Sequence, residues 1–112
     1  MRLSATNFAD VLGAYNILIH WGRPEYREDI PTRRREAYEN LLDGLRHLEP
    51  RTVNLKSMRE LSRARALVEK ARALYQFDGN IDGSMEFLEQ SREKFLGVEL
   101  KPGAASSGER TV

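Results

Sequence analysis

There is no cysteine among the 112 residues. Disulfides, thiolate metal sites and cysteine nucleophiles are therefore excluded from the start. Long apolar runs are missing too: no window approaches the ~20 consecutive apolar residues of a membrane-spanning helix. Asp10 interrupts the first apolar stretch, and no basic region or cleavage site marks a signal peptide. A cytoplasmic location is the expectation. Histidine occurs only as His20 and His47, and neither belongs to an H-E-x-x-H or His/Cys cluster. A Walker-type phosphate loop and a G-x-S-x-G elbow are likewise lacking. No excess of one charge is present, since 18 Lys and Arg stand against 17 Asp and Glu for a net +1. That balance excludes a strongly basic nucleic-acid coat and an acidic mimic of nucleic acid. Strand-like alternation does not persist anywhere, and Thr52-Val53 is too short to build a sheet.

What the chain does have is helical periodicity. Hydrophobic residues make up 40% and charged residues 31%, a composition suited to a helical globular domain rather than a disordered chain. A first helix is expected from Ser4, with Phe8, Val11, Leu12, Tyr15, Leu18 and Ile19 at helical spacing. Ile17 and Trp21 widen that stripe toward burial on more than one side. Gly22 and Pro24 supply its stop. A second helix starts after Thr32 and hides Ala37, Tyr38, Leu41, Leu42, Leu45 and Leu48, until Pro50 closes it. Ser57 and Glu60 form an S-x-x-E capping box for a third helix reaching about Phe77. Its stripe is Leu61, Ala64, Val68, Ala71 and Tyr75. A fourth helix is expected from Ser84 to Leu96, turning Met85, Leu88, Phe95 and Leu96 inward. The fold class that follows is all-α: a small bundle of three to four helices over residues 1–100, with a flexible C-terminal tail over 101–112. The tail lacks apolar periodicity and cannot recover its ordering entropy.

The sharpest local pattern is Asp78-Gly79-Asn80-Ile81-Asp82-Gly83-Ser84-Met85-Glu86-Phe87-Leu88-Glu89. It satisfies D-x-[DN]-x-[DN]-G-x5-E and resembles the calcium loop of the EF-hand family. The resemblance implies side-chain ligation of Ca²⁺ by Asp78, Asn80 and Asp82, with the bend at Gly83. It further implies a backbone carbonyl from Ser84, a water-mediated contact from Glu86 and bidentate ligation by Glu89. The sequence departs from the family at Ile81, where glycine is usual, and at Gln90, Glu93 and Lys94, where apolar residues are usual. Turn chemistry offers the competing account: an Asp/Asn/Gly turn that caps the fourth helix, with Asp82 or Ser84 at the N-cap.

Two further groups bear on partners. Arg33, Arg34, Arg35, Arg59, Arg63, Arg65, Lys70 and Arg72 place cations along the second and third helices, as a phosphate-binding face would. Glu36, Glu39, Glu60 and Glu69 sit among them, as in a solvated, salt-bridged face. Trp21 and Tyr26 have the aromatic character of interface anchors, although tryptophan also serves as a core plug. The expectation is a non-enzymatic helical module that binds or regulates another protein, with Trp21, Tyr26, Arg33, Arg34, Arg59 and Arg63 toward the partner. A second copy would cover any excess of the first helix's apolar stripe. Calcium binding through residues 78–89 and nucleic-acid binding through the arginine face are the alternatives.

Overall fold

In the structure, a computed structural model, residues 7–21 and 31–101 are described. The side chain of Asn7 sets the start of α1 (Phe8–Trp21) by accepting the Asp10 N–H on Oδ1 at 2.8 Å. The cap expected at Ser4 lies outside the described residues, and Asn7 caps the helix in its place. Helix α2 (Pro31–Leu48) takes proline as its first residue. Its fixed φ suits that position and its missing N–H is not needed there. The helix expected to start after Thr32 therefore begins at Pro31.

A 3₁₀ turn at Glu49–Arg51, with Pro50 inside it, stops α2. Helix α3 (Leu55–Asp78) is then capped by Asn54, whose side chain accepts the Ser57 N–H at 2.8 Å. The capping box expected at Ser57 is thus displaced by one turn. Ser57 is buried inside the helix, and its Oγ accepts the Glu99 N–H at 2.9 Å. Thr52-Val53 also does more than its length suggested. Thr52 forms an antiparallel bridge with Leu100, and the Val53 N–H donates to the Glu99 carbonyl at 3.1 Å. The Lys101 N–H reaches the Arg51 carbonyl at 2.7 Å, so Lys101, assigned to the tail, is tied to the bundle. The rest of that tail, 102–112, lies outside the described residues.

Helix α4 (Ile81–Leu96) begins three residues earlier than expected. Each helix packs on its neighbours in sequence, and α4 returns onto α1 to close a four-helix bundle. The buried stripes meet inside: Val11, Tyr15 and Leu18 from α1; Tyr38, Leu41, Leu42, Leu45 and Leu48 from α2; Leu61, Ala64, Val68 and Ala71 from α3; Leu88 and Phe95 from α4. Burial of each large side chain contributes roughly 1.5–3 kcal/mol. Phe8 stacks on Phe95 at 4.5 Å and Tyr15 tilts against the same ring at 5.5 Å, joining α1 to α4. Tyr38 stacks on Tyr75 at 6.1 Å, joining α2 to α3. Two apolar residues expected inside are not there: Ile17 is 47% and Leu96 54% exposed. Among the described residues no helix is long and apolar enough to cross a membrane.

Candidate interaction surface

Helices α3 and α4 form a hairpin joined only by Gly79 and Asn80. Gly79 takes the left-handed φ of 62°, which a side chain would strain. Asn80 then turns its Oδ1 back to accept the Gly83 N–H at 2.8 Å. A Cβ at Gly83 would stand 2.7 Å from Asn80 Nδ2, so the absence of a side chain there leaves room for the cap. The Asp/Asn/Gly pattern is in this way a helix terminator followed by a helix cap. Asn80 supplies that cap, rather than Asp82 or Ser84.

At the residues of the EF-hand expectation the geometry is that of two helices and a short turn. Asp78 is the last residue of α3, and Asp82, Ser84, Glu86 and Glu89 all lie on α4. Asn80 Oδ1 serves as the cap, and the Ser84 hydroxyl donates to the Ile81 carbonyl at 2.8 Å. An EF-hand needs a curved twelve-residue loop that gathers its oxygens round one ion. Here the loop is two residues, and a straight helix spreads Asp82 and Glu89 ~10 Å apart along its axis. Among the described residues no group of three or more histidine, cysteine or carboxylate side chains is arranged to hold a metal.

The outer surface of the hairpin is organised by charge. On α3, opposite its buried stripe, Lys56, Arg59, Arg63 and Lys70 are exposed. Asp82, Glu86, Glu89 and Glu93 are exposed on the corresponding side of α4. Steps of three, four and seven residues keep each set on one helical face. A basic lane therefore runs beside an acidic one, with Glu60 of α3 and the exposed Lys94 of α4 at the junction carrying the reversed signs. Between them Leu67, Leu74 and Phe87 are half-buried, and the Lys70 ammonium stands 5.8 Å from the Phe87 ring centre. A hollow lined by Glu60, Gln90, Glu93, Lys94 and Gly97 opens where the two helices meet. Arg63 also contacts Glu60 at 3.4 Å, an exposed pair with little energetic weight.

The expected partner residues divide. Arg59 and Arg63 lie in the basic lane, and Arg33 is exposed on α2. Arg34 does not belong with them: it is 4% exposed. It donates to the Trp21 carbonyl at 2.7 Å and lies 5.3 Å from the centre of the Tyr75 ring. Arg34 thus pins the end of α1 and the start of α2 to α3. Trp21 is half-buried at that junction, and Tyr26 lies outside the described residues. For nucleic acid, the acidic lane would repel phosphates brought to its basic neighbour.

One feature of the interior was missed from sequence. The buried stripe of α4 is Ser84, Leu88, Ser91 and Phe95. Tyr15 meets Ser91 with oxygens 2.6 Å apart, and Tyr38 hydrogen-bonds Ser84. Burial holds the Tyr15 phenol well above its usual pKa, and the Ser91 bond opposes the shift only in part. Burial likewise pushes Tyr38 up to about 12, against the Ser84 hydrogen bond and the Arg34 charge. The spacing of four, three and four was visible, but Ser84 read as the start of the helix and Ser91 was not singled out. No family model, curated protein or solved structure matches this chain.

Proposed function

We propose that this chain is a non-enzymatic protein-interaction module whose contact surface is the outer face of the α3–α4 hairpin. The observation that carries the reading is the separation of Lys56, Arg59, Arg63 and Lys70 from Asp82, Glu86, Glu89 and Glu93 into adjacent, exposed lanes. Segregated charge supplies orientation and partner choice, because a misaligned partner meets like charges. Salt bridges local to the surface would be served equally well by interspersed signs. The bundle beneath holds the face in place through the Tyr15, Tyr38, Ser84 and Ser91 contacts.

The test is retention of partners on the immobilised chain, with Arg59→Glu/Arg63→Glu as the comparison. Both side chains are exposed, so the variant should keep the wild-type circular-dichroism spectrum. A protein held by the wild type and lost from the variant supports the reading. Identical retention by the two removes the hairpin face from it.

A further inference from the structure

The charge pattern is complementary to itself, and we propose that the hairpin face docks on a second copy of this chain. The inference rests on the proposed interaction face and names its occupant. Within the hairpin, Ser57 lies level with Glu99 and Ala64 with Ser91, as their hydrogen bonds show. Stepping along the two antiparallel helices from those pairs puts Arg63 level with Glu93 and Lys70 level with Glu86. Two charges of each lane are thus matched in height as well as opposite in sign, while Asp82 and Glu89 fall level with Ala73 and Ala66.

A closed pair of identical chains is related by a two-fold axis. Two orientations bring hairpin face to hairpin face. An axis running across the helices lays α3 on α3 and α4 on α4, so like charges meet. An axis running along them lays α3 of each copy on α4 of the other, and the lanes exchange partners at the same level. Arg63 then faces Glu93 of the second copy, Lys70 faces its Glu86, and each contact occurs twice. Ala66 and Ala73, both exposed on the outer side of α3, allow close approach there. The half-buried Leu67, Leu74 and Phe87 form an apolar seam between the lanes.

The size of the face sets the strength. Helix α4 has 16 residues, which gives ~24 Å of length at 1.5 Å per residue, and two helices side by side span ~20 Å. The contact is then about 500 Å² per copy, at the low end for specific association. A reversible dimer, weakened by salt, is the expected state.

Sedimentation velocity over a concentration series tests this with Arg63→Glu and Glu93→Arg, each checked for helicity by circular dichroism. The wild type should dimerise with rising concentration, less so at high salt. Each variant alone juxtaposes like charges twice and should weaken association by about tenfold. Mixing the two variants restores opposite charges at both contacts, so the mixture should associate as the wild type does. A wild type that stays monomeric at every concentration overturns the proposal, as does a mixture no better than its components. If the chain stays monomeric yet loses a protein partner on Arg59→Glu/Arg63→Glu, self-docking fails and the interaction face survives.

Discussion

The Tyr15 phenol oxygen lies 2.6 Å from Ser91 Oγ and joins α1 to α4 across 76 residues of chain. Ser91 Oγ is also 2.6 Å from the Ala64 carbonyl on α3. A carbonyl only accepts, so Ser91 donates its proton to Ala64 and receives one from Tyr15. One hydroxyl therefore connects three helices inside the core. Ser84, two helical turns earlier, donates instead within its own helix, to the Ile81 carbonyl at 2.8 Å.

That allocation predicts unequal effects of removing the two partners. Ser91→Ala leaves the Tyr15 hydroxyl buried without its acceptor and should destabilise the fold by about 1–3 kcal/mol. Tyr15→Phe leaves Ser91 still bonded to Ala64, so its effect should be smaller, about 1 kcal/mol. In a Tyr15→Phe background, Ser91→Ala should cost less than it does alone. Urea unfolding of the four proteins measures all three quantities. Strictly additive effects would show that the hydroxyls act independently and would refute the shared network.

Alkaline pH should unfold the protein through the same tyrosines. Their native pKa values lie above the usual value of about 10, with Tyr38 at about 12. Below pH 10 both states keep these protons and the contribution to stability is complete. As pH rises from 10 toward 12, the unfolded chain ionises first, and stability falls by up to ~1.4 kcal/mol per pH unit for each tyrosine. Ultraviolet absorbance of the Tyr15 and Tyr38 phenolates, isolated by Tyr15→Phe and Tyr38→Phe differences, should appear together with loss of helical circular dichroism. Ionisation of either group well before unfolding contradicts this burial.

The elements were legible because their apolar residues recur at helical spacing, as in Leu41, Leu45 and Leu48 on α2 or Leu61, Ala64, Val68 and Ala71 on α3. Boundaries were less so, because several residues can cap and only three-dimensional context selects one. Ser57 had the right neighbours for a cap, but Glu99 claims its hydroxyl. Asn54, without a matching Glu, took the role. Arg34 looked like its exposed neighbours Arg33 and Arg35, since nothing local reveals that Trp21 and Tyr75 close around it. The two charge lanes were partly visible: Arg59 and Arg63 were singled out, and Glu86 and Glu89 appeared as expected ligands. Their alignment into one face required the short turn at Gly79 and Asn80.

Reading residues 78–89 as a cap rather than a calcium loop gives opposite expectations for two variants. Asn80→Ala removes the acceptor for the Gly83 N–H and should lower stability by about 1 kcal/mol, with or without calcium. Gly83→Ala should do the same by crowding the Asn80 amide. Ca²⁺ should leave the melting temperature unchanged, and Glu89→Gln, on the exposed side of α4, should be nearly neutral. A calcium-dependent rise in Tm that Glu89→Gln abolishes would reinstate the ion site.

Arg34 supplies the last prediction, because the chain's single tryptophan reports on it. Its guanidinium donates to the Trp21 carbonyl and lies over Tyr75, two contacts that a planar cation can make together. Arg34→Met keeps length and apolar packing but removes both, and should destabilise by about 2–3 kcal/mol. Arg34→Lys keeps the charge without the flat fork and should fall between. Because the lost contact anchors the end of α1, Trp21 should become more solvated, and its fluorescence should shift to the red under conditions where the chain remains folded. An interface role for Arg34 predicts the reverse: unchanged emission and stability, with loss confined to partner binding. Fluorescence at fixed helicity therefore separates a buried clamp from a docking residue.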